Sequence, residues 1–146
     1  MIIDQIYVIS VESSNDRREI FVKKNPDIVK LSNFQWFLVE KDTEDTRRGC
    51  YDSHRNVLKD AKKQGFKNIL ILEDDAYLTV DYSDFVSKIN DMYLPDNWNI
   101  IQLSYIPIRL TKTNIPHLLA VNCIFWTNAY LANVDLLEIP EYNDIP

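Results

Sequence analysis

Glycine is nearly missing from the chain: Gly49 and Gly65 are the only two. A phosphate-cradling loop of the GxGxxG or GxxxxGK[ST] kind needs more of them, so the dinucleotide and P-loop readings fall at once. Cysteine is as scarce. Cys50 and Cys123 stand far apart, without the paired spacing of a zinc motif. Buried free thiols are therefore expected rather than a disulfide, which fits a reducing compartment. No apolar run approaches the length that spans a bilayer. The opening Met1–Gln5 (MIIDQ) has no basic region followed by a long apolar stretch, so the expectation is a cytoplasmic protein without a transmembrane segment. Positive charge is in the minority. Sixteen Lys and Arg face 22 Asp and Glu, a net charge of −6, which argues against a general nucleic-acid or anionic-membrane surface. A local basic pocket for a phosphate stays open.

What is there fits one domain with its own core, residues 1–146, at 46% apolar content. Ile6–Val11 and Phe34–Val39 are β-rich apolar runs and read as strands. Between them Arg17–Lys24 reads as a helix stopped by Asn25–Pro26. Glu40–Arg48 is charged and without an apolar period, an expected loop. From Cys50 the stripe Cys50, His54, Val57, Leu58 and Ala61 has helical spacing, and Gly65 is placed to cap it. Val80–Tyr93 reads as a further helix and Asn99–Ser104 as a strand. Ile106–His117 reads as a loop or irregular hairpin, and Leu118–Leu131 as a strand followed by a short helix. Strands alternating with helices predict an α/β fold with a mainly parallel central sheet flanked by helices.

The central stretch is Asn68–Ala76 (NILILEDDA). Four unbroken apolar residues, Ile69–Leu72, predict a strand buried on both faces. Glu73, Asp74 and Asp75 follow, at the carboxyl end where open α/β sheets place their ligands. On an extended chain Glu73 and Asp75 face one way and Asp74 the other. Two such carboxylates about 6–7 Å apart repel by roughly 2–3 kcal/mol at an effective dielectric near 20. Water, a basic side chain or a divalent cation must offset this, and hard oxygen ligands suit Mg²⁺ or Mn²⁺. The plainer alternative is a solvated strand end, or a cap for the next segment.

Three segments resemble glycosyltransferase family 25 in order and spacing. Tyr7–Glu19 (YVISVESSNDRRE) is similar to that family's opening "VINL…DRR" strand and turn, with Val11 where Leu is usual. Gly49–His54 (GCYDSH) resembles its "GCxxSH" helix start, and Leu70–Ala76 (LILEDDA) its "ILEDDA" metal motif. Weaker likeness continues through Trp98–Leu103 and through Thr127–Leu131, which is similar to the family's "T-x-A-Y" segment.

The family includes lipopolysaccharide glycosyltransferases and collagen galactosyltransferases. The resemblance implies a GT-A type fold, a UDP-sugar donor carrying galactose or a similar hexose, and a saccharide or protein hydroxyl as acceptor. It also implies Mn²⁺ (or Mg²⁺) and inversion at the anomeric carbon. Under it Asp75 is the first metal ligand, and Glu73, on the same side, reaches the metal, the ribose or a metal-bound water. Asp74 points away in a structural role, though its place in the motif keeps it among the donor-side residues. Val11, Glu12, Arg17 and Arg18 belong to a loop expected to face the nucleotide, where a guanidinium could pair with a phosphate. The alternative for both arginines is a solvated first helical turn. Ser53 either seats the nucleotide or caps the helix. His54, on the apolar stripe, reads as a satisfied core histidine before a catalytic one. His117 is the other histidine available as a late metal ligand. Asp135, Glu138, Glu141 and Asp144 are the late acids available as the base, and their spacing selects none. The family's domain continues past "T-x-A-Y" with an acidic acceptor-side stretch, whereas this sequence stops at Pro146. Two expectations follow: an active transferase, or a shortened module of the same fold that binds the nucleotide-sugar without transfer. An unrelated Mg²⁺-dependent phosphotransfer or hydrolase domain would use the same acids but leaves the other two motifs unexplained.

Overall fold

The computed structural model describes residues 1–115 and 118–139, with backbone alone at 105–108 and 121–127. Its centre is β3 (Asn68–Glu73), whose Ile69, Leu70, Ile71 and Leu72 are fully buried, as an unbroken apolar run demands of a strand covered on both faces. β1 (Gln5–Val11) pairs parallel with β3 on one side and with β2 (Phe34–Val39) on the other. The remaining strands are β4 (Ile100–Lys112) and β5 (Leu119–Asn133), and the order across the five-stranded sheet is β2-β1-β3-β5-β4.

The sheet is therefore mixed rather than mainly parallel. β5 runs antiparallel to both β3 and β4. The chain crosses to the far edge as β4, doubles back, and fills the gap beside β3, and a direct return of this kind forces the antiparallel sense. β4 also outruns its expected end at Ser104 and continues to Lys112, through much of the stretch read as a loop. Pro107 is compatible with this because β4 is an edge strand, where a missing N–H need cost no ladder bond, and register shifts flank it.

Among the described residues, three α-helices cover the sheet. α1 (Asn15–Lys24) and α3 (Tyr82–Asp91) place Phe21, Phe85 and Ile89 against Ile6, Val8, Leu70 and Leu72 on one face. α2 (Thr46–Gln64) places Val57 and Ala61 against Tyr7, Ile9, Ile69 and Ile71 on the other. The alternation of Ile6/Val8 with Tyr7/Ile9 is the strand period of two, read out as two cores. α2 begins four residues before Cys50 because the Asp45 carboxylate caps it, accepting from the backbone N–H of Arg47 (3.0 Å) and Arg48 (3.1 Å). Gly65 ends it with φ +79°, a left-handed conformation that glycine adopts without strain. Among the described residues no helix is long and apolar enough to cross a membrane.

Candidate functional site

β1 sends the chain through α1 to β2 on one side, and β2 sends it through α2 to β3 on the other. The carboxyl ends of β1 and β3 thus form a topological switch point, the crevice in which open α/β sheets bind ligands. A cleft of roughly 220 Å³ lies there. It is lined by Ile9, Ser10 and Val11 of β1, by Glu73 at the end of β3 and Asp74 just after it, by Arg17 of α1, and by Gly49, Cys50, Ser53 and His54 of α2. Of the residues expected at the donor, Val11, Arg17, Ser53, Glu73 and Asp74 line it.

Glu12, Arg18 and Asp75 do not line it, and their positions explain why. The Arg18 guanidinium folds back onto its own loop: one terminal nitrogen donates to Ser10 Oγ (3.0 Å) and the Val11 carbonyl (2.7 Å), the other to the Glu12 carbonyl (2.8 Å) and Asn15 Oδ1. Arg18 thus holds the turn after β1 in shape. Glu12 takes part through its backbone, and its side chain is exposed.

The shared direction expected of Glu73 and Asp75 does not arise. It presumes an extended chain, but β3 ends at Glu73, and the Ala76 N–H donates to the Glu73 carbonyl (3.0 Å), closing a turn over Asp74 and Asp75. Glu73 faces α2, with Oε1 at 3.3 Å from Nε2 of His54. Asp75, 41% exposed, faces Arg17 and the side-chain amide of Asn128. Asp74 is 6% exposed, accepts from the Ser10 hydroxyl (2.7 Å), and meets Nη2 of Arg17, the same nitrogen that lies 3.3 Å from Asp75. One guanidinium nitrogen therefore stands between two carboxylates at the edge of the cleft. The repulsion foreseen between Glu73 and Asp75 is instead relieved in two places, by His54 and by Arg17. Asp74 and Asp75 thus present their oxygens to one position, held here by Arg17, while Glu73 faces His54.

His54 is largely buried, as its place on the apolar stripe foretold, and both ring nitrogens are engaged: Nδ1 with the Tyr130 hydroxyl (3.0 Å) and Nε2 with Glu73. Burial disfavours its charge, but hydrogen bonds and negative charge from Cys50 and Glu73 outweigh this and push its pKa up to about 9. Burial, then the charge of Glu73, pushes the Tyr130 phenol well above its ordinary range, so it stays a neutral hydroxyl. Cys50 is exposed, not the buried thiol expected. The Ser53 hydroxyl donates to the Gly49 carbonyl one turn earlier (2.6 Å), the bond of a helix-satisfied serine. Asp42, in the loop facing Gly49, accepts from the N–H of Asp45 (2.9 Å) and of Glu44 (2.9 Å) and from Arg48, and these contacts hold its pKa below the usual carboxylate range. Ser10 and Tyr130 fall inside the Tyr7–Glu19 and Thr127–Leu131 segments but are not singled out by them, and Asp42 carries no motif signal. They become visible only once β1, β3 and β5 are side by side.

Asp135 lies away from this cleft. It follows Asn133, which pairs with Asn68 at the opposite end of β3, roughly 17 Å along the sheet from Glu73 at 3.3 Å per residue. Glu138 is exposed beyond it. His117, Glu141 and Asp144 lie outside the described residues.

The arrangement defines an α/β domain with an acid-rimmed ligand cleft at its switch point. The sequence model of glycosyltransferase family 25 (LPS biosynthesis protein) matches residues 23–132. The chain belongs to that family, and is by class a glycosyltransferase with a sugar donor and an acceptor. The matched span takes in the Gly49–His54, Leu70–Ala76 and Thr127–Leu131 segments and begins after Tyr7–Glu19. Among curated proteins none matches the sequence.

Proposed function

We propose that the protein moves galactose or a similar hexose from a UDP-sugar to a saccharide or protein hydroxyl, with inversion, in a GT-A type domain that uses Mn²⁺ or Mg²⁺. The observation that carries this reading is the Arg17 nitrogen shared by Asp74 and Asp75 at the edge of the switch-point cleft. Asp75 and Asp74 would hold the ion, whose chemistry is to neutralise charge on a departing diphosphate. The cleft lining supports such a role: Glu40, Asp42, Glu73 and Asp74 face it against Arg17, Lys41 and the raised-pKa His54. A bare diphosphate entering there meets more negative than positive charge.

Arg17 has a second task in this reading. Were an ion held by the two aspartates, the half-exposed Arg17 guanidinium would be free to meet the phosphates, for which its planar fork is well shaped. Ser10 and Arg18 keep Asp74 and the β1 turn in place throughout. Val11 and Ser53 shape the wall against which the nucleoside rests.

The test is release of UDP from UDP-galactose by the full chain with Mn²⁺. Wild type is expected to turn over donor to water or acceptor, and Asp75→Asn to lose at least about tenfold. UDP release that ignores both chelator and Asp75→Asn would overturn the assignment. Metal-dependent binding without any turnover would identify a non-catalytic nucleotide-sugar module instead.

A further inference from the structure

We propose that Cys50, His54 and Glu73 form a three-ligand site for a thiophilic divalent cation of the Zn²⁺ class, distinct from the aspartate pair, with its fourth position open to the cleft. Cys50 and His54 are four residues apart on α2 and so share one helix face. Glu73 comes to them as the last residue of β3. One ligand atom from each of the three lies within 4.8 Å of the others. Nε2 of His54 and Oε1 of Glu73 are 3.3 Å apart. Two ligands bound at 2.0–2.1 Å on a tetrahedral ion stand about 3.4 Å apart, and a thiolate at 2.3 Å stands about 3.6 Å from either. The nitrogen and oxygen are thus already at ligand separation, and the exposed thiol closes by about 1 Å at most.

The surroundings are those of a metal-bound imidazole. A ligating histidine usually donates its other ring N–H to a fixed partner, which sets tautomer and ring orientation. Here Nδ1 faces the hydroxyl of Tyr130, which is 5% exposed in β5, leaving Nε2 aimed at Glu73. One helix and one buried strand supply all three ligands, so the set is held by rigid elements. The donor set also decides the metal. Sulfur and imidazole favour Zn²⁺ or Co²⁺ over Mn²⁺, whereas Asp74 and Asp75 offer only oxygen.

A nucleophilic triad is the rival use of these groups and fits less well. It needs imidazole between thiol and carboxylate, on opposite nitrogens. The thiol also hydrogen-bonds the ring, but Glu73 meets Nε2 and Tyr130 meets Nδ1, so neither nitrogen is left to the thiol alone.

The experiment is titration of the chelator-treated full chain with Co²⁺, read by absorbance. The expected result is a near-ultraviolet thiolate-to-metal charge-transfer band and the intense visible bands of tetrahedral Co²⁺, both saturating at one equivalent and bleached by Zn²⁺. Cys50→Ser should abolish the charge-transfer band, and His54→Gln should weaken binding at least about tenfold. Urea midpoints of the two metal-free variants confirm that each is folded. Asp75→Asn should leave the Co²⁺ spectrum as in wild type. No stoichiometric band in wild type, or a band that survives Cys50→Ser, would overturn the proposal. UDP that fails to bind with Mn²⁺ would sink the donor reading and leave the Co²⁺ result untouched, so the two failures are distinguishable.

Discussion

Replacing Asp74 tests whether the middle acid of the motif is held by the fold or held for a ligand. Its carboxylate is 6% exposed and accepts the Ser10 hydroxyl at 2.7 Å. A hydrogen bond to a charged acceptor contributes about 1.5–3 kcal/mol. Its contact with Arg17 adds little, since that side chain is 46% exposed and solvent screens the pair to about 0–1 kcal/mol. The backbone bond from the Asp74 N–H to the Ile9 carbonyl survives any substitution but proline. Asp74→Ala is therefore expected to cost about 2–3 kcal/mol, and Asp74→Asn, which keeps an acceptor without the charge, about 1 kcal/mol. In urea unfolding the alanine variant should lower the midpoint by about 1–2 M with the slope unchanged. A double-mutant cycle with Ser10→Ala should return a coupling of at least about 0.5 kcal/mol. An alanine variant within about 0.5 kcal/mol of wild type would refute the reasoning. A gain in stability would show a carboxylate kept for its ligand at the expense of the fold.

Gly49→Ala sets two effects against each other. Alanine favours a helix by about 1 kcal/mol, but the added Cβ would lie 2.6 Å from Cβ of Asp42, a position the loop cannot vacate without moving. Overpacking of this kind costs about 1–3 kcal/mol, so the variant should unfold at lower urea and lose affinity for cleft ligands; a more stable protein with unchanged binding would contradict this. His54 predicts a pH dependence in metal-free protein. Its pKa is raised from 6.5 to about 9, so its contribution is fully present below pH 6.5 and is lost as pH rises through about 9. The amplitude is on the order of 3 kcal/mol at most. Urea midpoints measured from pH 6 to 9.5 should fall for wild type, and this component should vanish in His54→Gln; parallel profiles would count against it.

The sequence read well wherever one local rule decided the outcome. The unbroken Ile69–Leu72 run could only be a covered strand, and Gly65 sat where a helix must end in a left-handed residue. It read less well where distant segments decide. An extended chain through Glu73–Asp75 was the natural reading, yet the turn that closes at Ala76 sends Glu73 to α2 and Asp75 to Arg17. Arg18 looked as free as Arg17, because nothing local says which guanidinium meets the carbonyls at the end of β1. β4 runs past Pro107 because it is an edge strand, a fact of topology and not of composition. Cys50 and His54 are one helical turn apart, and spacing judged between the two cysteines alone misses that pair.

Calorimetric titration of UDP with and without Mn²⁺ tests the central claim most directly, that carboxylates at the switch point hold an ion which in turn holds the donor's diphosphate. The account predicts binding with Mn²⁺ and none without it, most of that affinity gone in Asp75→Asn, and a smaller loss in Arg17→Ala. Tight binding that ignores the metal, or no binding under either condition, would contradict it.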